Sequence, residues 1–310
     1  MKIGLIGLGR MGASMARRLA RGGVQVVAQD INAYARTPLA AELETSVVDT
    51  IPALVAALDP PRLVWLMVPA GDATETVLEA LYARLDPGDL IVDGGNAHYR
   101  ESIKRAAALG ERGIAFVDAG VSGGVGGLAN GYMLMLGGAP EAVERVAPLA
   151  RVLAPAPDRG WLRCGPTGSG HFAKMVHNGI EYGMMQAYAE GLALLAAKQE
   201  FALDVAAVAE HWRHGSVIRS WLLDLTAEAL AARPDLAAIA PVVRDSGEGR
   251  WAVQEAVELG VPAPVTAAAL TMRFATQGAN DYPARLLALM RNAFGGHAPE
   301  RPKPGGGPGA

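Results

Sequence analysis

One cysteine, Cys164, is all that the 310 residues contain, so no intramolecular disulfide can form and no cysteine cluster exists for zinc. A reduced, cytoplasmic setting is the expectation, and no metal is expected. Charge of one sign is missing too. Lys and Arg number 28 against 31 Asp and Glu, and a net charge of −3 gives no footprint for nucleic acid. Any anion site must therefore be local. Long apolar runs are also lacking: the longest uncharged stretch, Ala119–Pro140, carries eight glycines with Ser122 and Asn130, which excludes a membrane span. The N-terminus enters MKIGLIGLGRMG directly, without the apolar core and cleavage site expected of a signal peptide.

What is present describes a globular chain. Apolar residues make up 51% and charged residues 19%, and 310 residues are long for one core, so two domains are expected. In the first half, short apolar runs alternate with amphipathic segments. Candidate strands are Lys2–Ile6, Gln25–Asp30, Leu63–Val68, Leu90–Asp93 and Ala115–Asp118, with Tyr132–Gly137 to follow. Helical patterns cover Met11–Arg21, Thr74–Leu85, Glu101–Arg112 and Glu141–Leu153. This alternation predicts an α/β fold: a Rossmann-type, doubly wound, mainly parallel sheet with right-handed crossovers. Past Gly165-Pro166-Thr167-Gly168 the patterns become long, helical and rich in Ala and Leu. The expected organisation is a dinucleotide-binding domain over 1–165 and an all-α C-terminal substrate and oligomerisation domain over 166–297. A disordered Pro/Gly-rich tail is expected over 298–310.

Gly7-Leu8-Gly9-Arg10-Met11-Gly12 forms a G-x-G-x-x-G turn that follows a candidate strand and opens a candidate helix. The first glycine permits the tight turn, the second lets the backbone approach a pyrophosphate, and the third allows close helix–strand packing. Free N–H groups at the helix start complete a phosphate cradle. Asp30 ends the second strand, where a carboxylate accepts hydrogen bonds from ribose hydroxyls and repels a 2′-phosphate. NAD is thus favoured, with NADP left open because Arg36 follows closely. The alternative for Asp30 is a simple cap on the strand–loop junction. Val68, closing its strand, and Asn96, just after the next, complete the expected cofactor-binding set. Asp118-Ala-Gly-Val-Ser122-Gly123-Gly124 is read as a loop at the carboxyl edge of the sheet, with hydroxyl and amides able to hold a carboxylate beside nicotinamide. Asp93-Gly-Gly-Asn96 shares that placement, and Asn96 is expected to bridge cofactor and substrate. The bland alternative is a pair of ordinary turns.

Residues 168–188, GSGHFAKMVHNGIEYGMMQAY, place Lys174, His177, Asn178, Glu181 and Tyr182 at offsets of 0, 3, 4, 7 and 8, one face of a helix. Phe172, Met175, Ile180 and Met184 on the opposite face are expected to be buried, and Gly179 and Gly183 suit close packing by another backbone. Only five of the 28 Lys and Arg are lysine. A lysine among apolar neighbours therefore suggests a task arginine cannot perform, since a desolvated lysine can lose its proton. The stripe reads as base, positioners and acid; the alternative is a solvated face with scattered charges.

With GLGRMG, DGGNAHY, DAGVSGG, GHFAKMVHNGIEYGMMQAYAEG, RDSGEGRW and RNAFGGH assembled, the chain resembles the 6-phosphogluconate dehydrogenases in their short bacterial, NAD-preferring form. These belong among the β-hydroxyacid dehydrogenases. The resemblance implies oxidative decarboxylation of 6-phosphogluconate to ribulose 5-phosphate. Lys174 would act as general base and Glu181 as general acid. Asn96, Ser122, Gly123, Gly124, His177 and Asn178 would hold the sugar acid, with Tyr182 and Arg273 at its phosphate. Arg291 and His297 match a C-terminal pair that reaches a neighbouring subunit's site, so a homodimer or homotetramer is implied. One departure concerns Asp245–Trp251, which lacks the lysine and threonine that touch phosphate in the long form and carries Glu248 near the threonine position; Arg250 is the substitute ligand to be checked. Two rival readings stay open. A non-decarboxylating β-hydroxyacid dehydrogenase would use Lys174 without Glu181, and a dinucleotide sensor would use neither.

Overall fold

The computed structural model describes residues 1–42, 46–233, 235–279 and 281–295. Two compact units are found, Met1–Asn178 and a second beginning at Gly179. The first is built on β1 (Lys2–Ile6), β2 (Gln25–Gln29), β3 (Ser46–Val48), β4 (Leu63–Leu66), β5 (Leu90–Asp93), β6 (Ala115–Ser122), β7 (Met133–Gly137) and β8 (Trp161–Gly165). They form one sheet ordered β3-β2-β1-β4-β5-β6-β7-β8. Every neighbouring pair is parallel except β6 and β7.

Alternation along the strands explains the layering. Ile3 and Leu5 of β1, Val26 and Ala28 of β2, Trp65 of β4 and Val92 of β5 face one side. There they meet Met15 and Leu19 of helix α1 (Arg10–Arg21). Ile6, Val27, Val64, Leu66 and Ile91 face the other side, against Leu54, Leu78, Leu81 and Leu109. These last four come from α3 (Ile51–Ala56), α4 (Asp72–Tyr82) and α5 (Tyr99–Gly110), α2 (Ala33–Glu42) preceding them. A sheet buried on both faces uses continuous apolar strands, as these are. Because the chain winds outward from β1 to β3 and then restarts at β4, a crevice opens at the carboxyl ends of β1 and β4, where such sheets bind ligands.

The expected strand at Ala115–Asp118 runs on to Ser122, because residues 118–122 pair antiparallel with β7. Most of the predicted substrate loop is therefore strand, and only Gly123 and Gly124 lie beyond it. The neighbouring expectations shift slightly: β2 stops at Gln29, β4 at Leu66, and β7 begins at Met133. After α6 (Gly127–Asn130) and α7 (Pro140–Leu153), the chain enters α8 (Ser169–Ala197), which passes from the first unit into the second.

The second unit continues through α9 (Val205–Trp212), α10 (Trp221–Ala232), α11 (Glu248–Glu258), α12 (Pro264–Phe274) and α13 (Asp281–Gly295). Tyr182, Ala269 and Leu270 are buried at its centre, with Val253 and Phe274 against them. Gly179 and Gly183 admit close side chains where another backbone was expected: a Cβ at Gly179 would sit 3.1 Å from the Ala252 Cβ, and one at Gly183 would sit 3.2 Å from a Val265 methyl. The expected burial of Ile180 and Met184 does not hold. Both are exposed, as is Val176, whereas Met175 is buried. The face turned inward carries Met175, Gly179, Tyr182 and Gly183, so Val176, Ile180 and Met184, four residues apart, form an outward stripe. Among the described residues no helix is long and apolar enough to cross a membrane.

Candidate functional site

A cavity of about 670 Å³ lies at the carboxyl ends of β1, β2, β4 and β5. Its lining includes Gly7, Gly9, Arg10, Met11, Gly12, Asp30, Val68 and Asn96, eight of the residues assigned to the cofactor. The volume is within the range of cofactor sites. The glycines fit the task. Gly7 has φ +96°, and a Cβ at Gly12 would lie 1.9 Å from the Gly7 carbonyl oxygen. A Cβ at Gly9 would meet no protein atom within 4 Å, so the space beside it is open to a bound group. Gly9 caps α1 without a side-chain bond, leaving the leading amides of that helix available for phosphate.

Leu8 does not line the cavity; its N–H donates to Asp30 Oδ2 at 2.6 Å. Asp30 Oδ1 accepts from Asn32 N–H at 2.8 Å. The carboxylate thus locks the glycine turn to the end of β2 while still bordering the cavity, so it is both junction cap and candidate ribose partner. Arg36 donates to the carbonyls of Asp30 and Ile31 at 2.7 and 3.3 Å, which holds its guanidinium along the backbone.

Beyond β5, Asn96 adopts φ +53°. Its side chain is anchored on β6: Oδ1 accepts from Val121 N–H at 2.9 Å and Nδ2 donates to the Val121 carbonyl at 3.2 Å. This amide ties the Gly94–Asn96 turn to β6 one residue before Ser122. Gly123 and Gly124 then follow at φ +130° and +51°.

Lys174 is 6% exposed. Its Nζ donates to Asn178 Oδ1 at 2.7 Å, and His177 Nδ1 approaches the same oxygen at 2.9 Å. An amide oxygen only accepts, so the Nδ1 contact is a donation, and Nε2 faces the Ser122 hydroxyl at 3.4 Å. Lysine, asparagine, histidine and serine therefore form one connected polar surface. Packing beneath it is tight. A Cβ at Gly120 would stand 2.4 Å from the Lys174 Cβ and 2.8 Å from the Gly170 carbonyl oxygen. Asp118 secures the helix start, accepting from Gly168 N–H at 2.6 Å and His171 N–H at 2.8 Å. Burial pushes its carboxyl above the usual range, against the opposing pull of His171 and these N–H groups. Sequence reading missed Asp118 in this role, together with Ser102, Arg105 and His171. An aspartate inside a strand and polar residues in an amphipathic helix look ordinary until their partners are known.

In the second unit, Glu181 is half-buried one helical heptad after Lys174. Tyr182 and Arg273 are brought together, the guanidinium lying 3.4 Å above the ring. The Tyr182 hydroxyl accepts from Ser246 N–H at 2.9 Å, and Ser246 Oγ donates to Glu248 Oε2 at 2.6 Å. Arg250, the substitute phosphate ligand to be checked, is already engaged. It pairs with both oxygens of Asp245 at 2.9 and 3.0 Å and lies over Phe274. This guanidinium holds the Asp245 carboxyl below its ordinary range. Arg291 is exposed on α13, and His297 and the tail from 298 lie outside the described residues. No group of three or more His, Cys, Asp or Glu stands ready for a metal among the described residues.

Comparison with known proteins also divides the chain in two, between residues 160 and 170. Residues 2–160 match the NAD binding domain of 6-phosphogluconate dehydrogenase. Residues 170–281 and 198–306 match the C-terminal domain of the same enzyme. The chain is 42% identical over 298 residues to the NAD(+)-dependent, decarboxylating 6-phosphogluconate dehydrogenase of Haloferax volcanii, covering 96% of this chain and 98% of that protein. It is 44% identical over 304 residues to YqeC of Bacillus subtilis, covering 97% and 100% respectively. Among solved structures, 6-phosphogluconate dehydrogenase of Plasmodium falciparum superposes with a TM-score of 0.82 at 28% identity, covering 99% of this chain and 67% of that one. A 3-hydroxyisobutyrate dehydrogenase of Salmonella typhimurium shares the fold, with a TM-score of 0.75 at 22% identity over 90% and 95% of the two chains. Matched in both halves and along nearly its full length, and carrying an NAD-binding domain, the chain belongs to the 6-phosphogluconate dehydrogenase family of oxidoreductases.

Proposed function

We propose that this chain oxidises and decarboxylates 6-phosphogluconate with NAD, yielding ribulose 5-phosphate and CO₂. The observation that carries the reading is the buried amine of Lys174, fixed on Asn178 and linked through His177 to Ser122. Lys174 in its neutral form takes the proton from the C3 hydroxyl. Bound nicotinamide supplies the hydride acceptor, with the glycine turn and Asp30 holding its dinucleotide. Ser122 and the amides of Gly123 and Gly124 hold the sugar acid beside the base. Oxidation places a ketone β to the carboxylate, and loss of CO₂ leaves an enediol that Glu181 protonates at C1. Tyr182 and Arg273 take the phosphate end, with Arg291 and His297 of a neighbouring copy in a homodimer or homotetramer. Asp30 beside the cavity supports NAD over NADP, since a 2′-phosphate would meet its carboxylate.

A matrix of NAD and NADP against 6-phosphogluconate and 3-hydroxy acids, with CO₂ detection, tests this reading. NADH formed with equimolar CO₂ from 6-phosphogluconate is expected. NADH without CO₂ would replace it with a non-decarboxylating dehydrogenase, and no turnover at all would leave a dinucleotide binder.

A further inference from the structure

Helix α5 carries two buried polar side chains one turn apart, Ser102 and Arg105, on the face that also buries Leu109. A surface helix ordinarily points such groups to water, and burying them is costly unless each is paired. Both are paired, and the partners lead to the same place from opposite directions.

Arg105 donates to Asp93 Oδ2 at 3.0 Å, and its other donors go to Glu75 and Glu101. Asp93 is fully buried at the end of β5, and its Oδ1 accepts from Gly95 N–H at 3.0 Å. Gly95 precedes Asn96, whose amide grips Val121 next to Ser122. From Ser122 the bonds pass through His177 and Asn178 to the Lys174 amine. The return path begins three residues before Lys174. His171 Nδ1 shares a 2.7 Å bond with Ser102 Oγ, both side chains being buried, and Phe172 meets Tyr99 of α5 edge-on at 5.3 Å. The circuit therefore starts and ends on α5. His171 Nε2 is buried without a partner among the described residues, so the ring's orientation rests on Ser102 alone.

We infer that α5 is a two-ended strut for the base, with Arg105 setting the Gly94–Asn96 turn against Ser122 and Ser102 setting α8 through His171, so that both are positioning residues for Lys174. The catalytic part of this inference rests on the function proposed above; the mechanical part does not. Neither residue lines the cofactor cavity, but the Gly94–Asn96 turn that Arg105 sets does, so Ser102 acts on the chemical step alone while Arg105 bears on cofactor seating as well.

The test uses the full chain with Ser102→Ala, Ser102→Thr, Arg105→Met and Arg105→Lys. A misplacement of the base that leaves binding intact lowers kcat, by roughly tenfold for Ser102→Ala. It also raises the deuterium isotope effect from C3-labelled 6-phosphogluconate, with NAD affinity unchanged. Ser102→Thr restores both values; Arg105→Met lowers kcat and raises the isotope effect in the same way but weakens NAD too, since the turn it holds lines the cavity, with partial recovery in Arg105→Lys. Mere loss of stability lowers the melting temperature without moving the isotope effect, and that pattern would overturn the strut. Nitrogen NMR of the imidazole rings gives a readout free of turnover: Ser102→Ala shifts His177 as well as His171. A shift confined to His171 would overturn the strut even in an inactive protein. Failure of wild type to turn over 6-phosphogluconate would count only against the proposed function.

Discussion

Replacing Gly120 by alanine asks directly whether the distance between β6 and α8 controls the chemistry. The added Cβ would sit 2.4 Å from the Lys174 Cβ and 2.8 Å from the Gly170 carbonyl oxygen. Ordinary contact begins near 3.4 Å, so the two elements must part by about 1 Å at the lysine itself, and neither obstacle is the free end of a flexible side chain. Overpacking of this kind costs about 1–3 kcal/mol of stability, an amount the sheet absorbs without unfolding. A displacement near 1 Å in a catalytic group costs on the order of 100-fold in rate. The expected result is thus a folded protein whose kcat for NAD-linked oxidation falls about 100-fold while NAD affinity is retained, since Gly120 does not line the cofactor cavity. Steady-state kinetics and NAD titration by fluorescence measure the two quantities. Gly110→Ala serves as control, since a Cβ there meets nothing within 4 Å. If Gly120→Ala kept kcat within twofold of wild type, the fixed seat of Lys174 would have no bearing on turnover, and the steric reasoning would be refuted.

Three further outcomes are expected. Lys174→Met lowers kcat by about 10²–10⁴-fold with NAD affinity near normal, and appreciable turnover in single-turnover hydride transfer would remove the base role. Asp30→Ala narrows the ratio of kcat/KM for NAD over NADP and also weakens NAD, because the Leu8 amide loses its partner; an unchanged ratio would take Asp30 out of discrimination. Asp245→Asn lowers thermal stability at neutral pH. The Asp245 carboxyl is held below its unfolded value by Arg250, so its stabilising effect is present above the unfolded pKa and disappears as pH falls through the folded one. The gap in melting temperature between wild type and Asp245→Asn should close on acidification, and a gap that stayed constant to low pH would contradict the ion-pair origin.

Features encoded locally were readable from the sequence. The glycine turn, the apolar strands and the heptad spacing of Lys174 and Glu181 each depend on neighbours in the chain, and the structure places the turn and the strands within a residue or two of their expected bounds, except β6, which runs four residues further. The short strand β3 and the edge strand β8 escaped notice because three to five residues with half-exposed side chains carry no apolar run. Ile180 and Met184 misled for a related reason. Apolar character says that a residue tolerates burial, and glycines at 179 and 183, by admitting close neighbours, decide which face turns inward. Asn96 follows a strand and borders the cavity, but the bond of its amide to a backbone 25 residues away could not be read locally. Arg105 and Ser102 were invisible for the same reason, their partners being set by tertiary packing.

Helix α8 carries the amine and the carboxyl on a single continuous rod, and this has a consequence for how the gene can change. Each residue turns an α-helix by about 100°, so losing or gaining one codon between positions 175 and 180 swings Glu181 about a quarter-turn or more away from the Lys174 side. Surface turns elsewhere absorb such length changes easily. These six intervening residues have no slack, and insertions or deletions there should be poorly tolerated.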